Sequence, residues 1–532
     1  MLINPAYFVM QRIILLVICS LCLTFPSAGQ VLYKTIDFKI GTPYLEPDGR
    51  DLTLKINDNE FISLAKSKGG IFGESVYQLE KYNREMEVLF SVPLKFALEE
   101  DFFKLFLAGD RFWLFSVVHN TRTFTTQCKV YEYSVTDGTL LGDKILNESK
   151  VNPWSKEMSK ASVEESFQSA INSCQPRDFV TPLEYNYQVQ FSPDNRKFIV
   201  YIYDYSQKYL VAQAAVYDTK LELLFKGIVP IDNNFVNYGL YINNRAELFI
   251  LNADRMGRIA LIRYNMETKD NVFLDIASSA SKRYNFKLKF LNDDEVYVVN
   301  LSSKSNKLAG FMYSKFNFKE KAIDKINHQE LSEGIVQTSK ALRTNNKEYD
   351  AEDDWLNYNI SDVYLNEFEK IIVVLEKQQI ISTMFNYQPG SVNNIDNWYE
   401  KTGRVNTGPV ILYAFNNEDV LLWETYHLKD QSNDITAGML SASHAMTITA
   451  DGKILMTYAS SSNASGQYNE INYLLFEESS GSKIKNIKLD NKESLSVLKD
   501  YTVWFDNAVI MAARKGLFGK KSNMIRYNYN VE

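Results

Sequence analysis

The sequence predicts an all-β protein, one closed ring of repeated four-stranded sheets with a short helical insertion, and three observations predict it. Among 532 residues, Tyr (33) and Phe (32) are abundant while Gly (23) and Pro (12) are scarce. That balance favours strands and excludes collagen-like, low-complexity or disordered chains. A hairpin pattern of alternating strand, tight Asn/Asp/Gly turn and apolar strand recurs along the chain. After each hairpin comes a third apolar strand ending on an aromatic residue and then a polar one. The net charge of −7 supplies no basic field for nucleic acid.

The first element is an address. Arg12, the apolar run Ile13 to Phe25 and Pro-Ser-Ala-Gly-Gln have the order of a secretion signal, cleaved after Gly29 to leave Gln30 at the new N-terminus. The run is short for a spanning helix, which needs about 20 residues, and no later segment qualifies. Residues 1–29 are therefore read as a signal peptide and 30–532 as one exported domain, secreted or held in the periplasm or cell envelope, with no transmembrane segment after cleavage.

The hairpins follow in order: LTLKINDNEFISLA around Asp58, FKLFLAGDRFWLFSVV around Gly109, VQFSPDNRKFIVYIY around Asp194 and GLYINNRAELFIL around Asn244. LKFLNDDEVYVVNL around Asp293, VYLNEFEKIIVVLE around Glu367, MTITADGKILMTYA around Asp451 and YTVWFDNAVIMAA around Asp506 complete the set. Asn, Asp and Gly tolerate the positive φ of tight turns. The third strands close on Tyr82-Asn83, Tyr133-Ser134, Tyr217-Asp218, Tyr264-Asn265, Phe316-Asn317, Phe415-Asn416, Phe476-Glu477 and Tyr527-Asn528. Four strands per unit of roughly 50 residues describe the blades of a β-propeller, eight of them, or seven if the copy near Glu367 belongs elsewhere. The last copy lacks a fourth strand. The segment from Val31 to Ile40 supplies one and removes an open sheet edge.

FSPDNRKF (191–198) and ITADGKIL (448–455) resemble the Ser-Pro-Asp-Gly hairpins of WD-repeat and TolB-type propellers. The Trp-Asp pair of the WD pattern is replaced by Tyr or Phe with Asn, so the resemblance implies the fold and carries no ligand with it.

In an up-and-down blade, the loop between strands two and three shares a face with the connection to the next blade. The long insertions, 148–184, 324–357 and 378–409, all fall on that face, and long loops in compact folds carry function. Ser162 and Glu165 have capping-box spacing before Val163, Phe167, Ala170 and Ile171, which predicts a short helix. Once the signal is removed, Cys128 and Cys174 are the two cysteines left, a candidate disulfide in an oxidising compartment. Trp154, Trp355, Trp398 and Tyr399 are candidate recognition aromatics on the insertions, whereas Trp113, Trp423 and Trp504 belong to strands.

His119, His328, His427 and His444 fall at strand ends or loops on the insertion face, and His444, at the start of an innermost strand, is placed to look into the central channel. They show no metal-ligand spacing, so no metal and no cofactor is expected. The run Glu348, Asp350, Glu352, Asp353 and Asp354 reads as a solvated acidic loop, with Arg514, Lys515, Lys520 and Lys521 as a basic counterpart. No nucleophile elbow, zinc-protease helix or phosphate loop occurs, so no catalytic residue is assigned. The expected function is binding of a protein or glycan through the insertion face. The alternative is a polysaccharide-acting hydrolase or lyase with a site at the channel mouth.

Overall fold

The computed structural model describes residues 33–38, 53–67, 75–96, 100–120, 123, 125–150, 187–204, 211–231, 236–253, 258–277, 286–304, 307–335, 358–386, 400–429, 431–434, 444–449, 451–460, 470–490, 495–506, 508–515 and 522–528. They form a β-propeller. Its antiparallel sheets follow one another along the chain: sheet 1 at 53–96, sheet 2 at 100–149, sheet 3 at 188–230, sheet 4 at 236–277, sheet 5 at 286–330, sheet 6 at 358–434, sheet 7 at 445–490 and sheet 8 at 495–528. Seven of these sheets are four-stranded blades, and sheet 6 carries a fifth strand. Sheet 8 takes its outer strand from the start of the chain. Tyr33–Phe38 pairs antiparallel with Ser522–Asn528, in register from Tyr33 opposite Tyr527 to Phe38 opposite Ser522, as the sequence predicted.

The second and third strands are covered on both faces, so their sequences read as unbroken apolar runs. In Lys197–Asp204 every residue after Lys197 is buried. The fourth strands form the perimeter and alternate, as in Ala322–Glu330. First strands of neighbouring sheets approach one another around the middle of the ring. Core clusters bridge every seam. The one that closes the ring joins Phe505, Ala508 and Ile510 of sheet 8 to Phe61 and Tyr82 of sheet 1, with Phe61 edge-on to Phe505 at 6.2 Å.

The aromatic-polar ending of each third strand has a physical explanation. The aromatic residue stands opposite the start of the second strand, where Phe61 stacks on Tyr82, Phe112 on Tyr133 and Phe198 on Tyr217 at 5.1, 5.3 and 5.5 Å. The polar residue then closes the turn. Asn416 Oδ1 accepts the backbone N–H groups of Glu418 (3.0 Å) and Val420 (2.9 Å), holding Asp419 at φ 63°. Asp218 serves Lys220 and Glu222 the same way. Asn416→Ala should cost about 1 kcal/mol, two exposed hydrogen bonds being replaced by water, read as a lower midpoint in urea unfolding.

Three predicted boundaries move. The fourth strand of sheet 2, Leu140–Ser149, runs through Glu148. Asp324 and His328 lie within the strand Ala322–Glu330, so that insertion starts later; a helical turn at 333–335 follows. Both ends of 378–409 are strand rather than loop. The predicted signal peptide, the helix at 162–171, the acidic run 348–354, Lys520 and Lys521 lie outside the described residues. Among the described residues no helix is long and apolar enough to cross a membrane.

Candidate functional site

Sheet 6 departs from the other blades. Its second and third strands, Ile371–Asn386 and Glu400–Phe415, have 16 residues each, whereas the corresponding strands of sheet 7, Lys453–Ser460 and Glu470–Glu477, have eight. Pairing with the blade register ends at Glu376 opposite Val410. The register then shifts and resumes from Gln378 opposite Thr407 to Asn386 opposite Glu400. The hairpin thus continues past the blade on the insertion face. The fifth strand, Gln431–Asp434, pairs with its base, Thr407 opposite Gln431.

A buried polar cluster pins that base. Glu376, at the register shift, ends the apolar run IIVVLE, and the shift accompanies its place at the root of the hairpin. Its Oε1 accepts from Lys429 Nζ and lies 3.0 Å from His444 Nδ1. Lys429 also donates to Thr407 Oγ1 at 3.0 Å and Gln431 Oε1 at 2.6 Å, and Thr407 donates to the same Gln431 oxygen at 3.0 Å. The side chains of Glu376, Lys429 and His444 are 0% exposed. An ionised carboxylate only accepts, so His444 Nδ1 carries the proton; His444 Nε2 and Gln431 Nε2 have no hydrogen-bond partner among the described residues. Burial pushes the Glu376 carboxyl up, but the Lys429 ammonium and His444 outweigh it and hold the group well below the usual carboxylate range.

Beside the cluster, His427 Nε2 lies 2.8 Å from Tyr458 OH of sheet 7. Burial, with Lys483 and Lys429 nearby, pushes His427 down to about 4. The unfolded chain binds this proton at the ordinary histidine value of about 6.5. This histidine therefore costs nothing above that pH and destabilises the fold progressively as pH falls from about 6.5 towards 4.

Sheet 6 is tied on its other sides too. Glu369, in its first turn, accepts from Tyr297 OH (2.7 Å) and Lys315 Nζ (3.1 Å) of sheet 5, and Asp419 accepts from Tyr313 OH at 3.0 Å. Towards sheet 7, Trp423 Nε1 donates to the Glu478 carbonyl at 2.8 Å and Thr425 Oγ1 to the Gly481 carbonyl at 2.7 Å. The arrangement is chemically an anchor: enclosed, charge-paired groups hold a projecting hairpin on a fixed platform.

The structure sorts the predicted residues. His444 is not in an open channel; it is fully buried with Nδ1 3.0 Å from Glu376 Oε1, because the base of the long sheet 6 hairpin and the link to its fifth strand enclose it. His119 is half-buried, with Nδ1 3.1 Å from Thr126 Oγ1, and His328 is exposed on the perimeter. Trp113 and Trp423 are buried, with Trp113 Nε1 donating to Glu132 at 3.2 Å, and Trp504 packs against the core of sheets 7 and 8. Cys128 is a free, buried thiol among Val117, Val130 and Leu146, its ionisation pushed up by burial; Cys174, its predicted bridge partner, lies outside the described residues. So do Trp154, Trp355, Trp398 and Tyr399. Among the described residues no group of histidine, cysteine and carboxylate side chains is placed to hold a metal ion. Sequence reasoning missed Glu376, Thr407, Lys429 and Gln431. The one available signal was a glutamate closing an apolar strand.

No family model matches the sequence, and no curated protein matches it. Among solved structures the chain is similar to Sqt1 of Saccharomyces cerevisiae, at 9% identity, a TM-score of 0.42 and coverage of 93% of this chain and 98% of that one. The β-propeller domain of the Trilobed protease from Pyrococcus furiosus matches at 8% identity and a TM-score of 0.35, covering 81% and 94%. Prolyl oligopeptidase B from Galerina marginata matches at 8% identity and a TM-score of 0.38, over 92% of this chain; the chain spans 56% of that protein's length.

Proposed function

We propose that the protein is an exported, non-catalytic propeller that binds a protein or glycan of the cell envelope or exterior through its insertion face. The carrying observation is the sheet 6 hairpin. From Gln378 to Asn386 its second strand runs nine residues beyond the blade register, a reach of about 30 Å at 3.3 Å per residue. An arm of that length is useful for contact only if its root is fixed, and the Glu376–Lys429–His444 cluster and the fifth strand fix it. The signal-like order of residues 1–29 supports export, and the aromatic residues Trp398 and Tyr399, between the two arms of the hairpin, are suited to stacking on a sugar or anchoring a protein.

The test is a chain in which residues 382–402 are replaced by Asn-Gly, leaving Glu376, Thr407, Lys429 and Gln431 in place. The expected result is an unfolding midpoint close to that of the parent together with loss of crosslinking and co-purification of the native partner from the source cell. Undiminished capture by the trimmed chain would remove the hairpin from the function. Turnover of a polysaccharide panel by the intact chain would replace binding with catalysis.

A further inference from the structure

A strand at the margin of a sheet offers a row of unpaired N–H and C=O groups to any other chain, and the ring guards its outer margin against this. Each of the eight outer strands carries a charged residue, and some carry proline as well: Pro93 and Lys95 in Val88–Phe96, Asp143 and Lys144 in Leu140–Ser149, three lysines in Lys483–Asp490. The hairpin of sheet 6 has one guarded arm and one unguarded arm. Residues 400–407 include Glu400, Lys401 and Arg404 and are covered at their root by Gln431–Asp434. Residues 378–386 read QQIISTMFN, with no charge, no proline and no glycine.

One edge of 378–386 is paired to 400–407. On the other edge the first strand of the blade stops at Tyr358 opposite Lys377, and among the described residues no strand continues along it. The composition of the segment, rich in strand formers and free of charge, is that of strands that associate with one another. The segment also complements itself. Laid antiparallel about Ser382, it sets Gln378 opposite Asn386, Gln379 opposite Phe385, Ile380 opposite Met384 and Ile381 opposite Thr383, so no like charges meet. The register shift between Ile381 and Met384 blunts the middle of the edge. It falls at the two-fold axis of this pairing and leaves the four residues on either side to form the ladder. A projection of about 30 Å, at 3.3 Å per residue, keeps the two rings at opposite ends of the shared ladder, clear of each other.

We propose that residues 378–386 add edge to edge to the same strand of a second copy of the chain, giving a weak dimer with two-fold symmetry. Among the described residues each ring has one such arm, so the pairing closes at two copies and does not propagate. The contact is a single pair of strands, smaller than a stable interface needs, and is therefore reversible, with a dissociation constant of about 10–100 μM. The dimer uses the edge of the arm rather than the residues between the two arms, and it forms whether or not those residues hold another partner.

Sedimentation velocity of the whole chain from about 1 μM to about 500 μM, with hydrogen exchange at both ends of that range, tests it. Monomer is expected at the low end and dimer at the high end, with added protection confined to 378–386. Ser382→Lys and Ser382→Glu each set like charges opposite one another at the axis and should weaken the dimer about tenfold or more, whereas an equimolar mixture of the two variants should restore it. Both substitutions replace a polar residue beyond the blade register, and unchanged urea midpoints establish that the variants fold. A chain that is monomeric throughout, a dimer indifferent to both variants, or a mixture that associates no more than its parts overturns the proposal. Protection of 378–386 that does not depend on concentration overturns it too, and assigns the edge to the chain's own residues. Capture of the native partner by Ser382→Lys, measured separately, reads the proposed function alone.

Discussion

Lys429→Met is expected to destabilise the ring by about 3–5 kcal/mol, the loss typical of stranding one member of a buried ion pair. Lys429 and Glu376 are both fully enclosed, and the methionine replaces three donated hydrogen bonds with none, leaving the carboxylate, Thr407 and Gln431 to face one another unneutralised. The check is urea unfolding at pH 7.5, with the midpoint displaced and the slope unchanged. The double variant Glu376→Gln, Lys429→Met discriminates between lost charge and lost volume: with no buried anion left, it should recover at least half of the loss. If the single and double variants are equally unstable, the cluster contributes through packing rather than through charge pairing.

Removing residues 31–38 is the second large effect. Six residue pairs hold Tyr33–Phe38 to Ser522–Asn528, and at about 0.5–1.5 kcal/mol net for each backbone hydrogen bond, one to a pair, the loss is roughly 3–9 kcal/mol. The truncation also bares the edge of Ser522–Asn528, an open template for another chain. The truncated protein should show a lower urea midpoint and concentration-dependent light scattering, and a synthetic peptide of residues 31–40 supplied in excess should suppress both. A truncated chain that stays monomeric with an unchanged midpoint would mean that the ring closes without its clasp.

The ring was legible because each blade repeats the same local chemistry. A tight turn needs Asn, Asp or Gly, a doubly covered strand needs an unbroken apolar run, and Asn after Tyr or Phe both ends a strand and caps its turn. None of these signals depends on distant residues. The anchor was illegible for the opposite reason. Glu376, Thr407, Lys429, Gln431 and His444 meet only after two long strands, a link and a neighbouring blade are in place, and a lone glutamate or lysine at a strand end reads as solvent-facing. The polar run QQIISTMFN at 378–386 has no clean alternation, so it read as a loop, although Ile380, Ile381 and Thr383 are good strand formers. His444 reads from its place at a strand start as a channel-facing residue, whereas its burial depends on a carboxylate that no spacing announces.

The shared sheet at the ends of the chain also sets a clock. Tyr33 pairs with Tyr527, so the strand Tyr33–Phe38 cannot find its neighbour until every intervening sheet has been synthesised. Closing a loop of that size delays the step, because its entropy must be lost before the contact rewards it. Seven sheets can assemble on their own nearest neighbours, whereas the eighth must wait with the backbone edge of one strand unpaired, and in that interval the nascent ring is most open to pairing with another molecule.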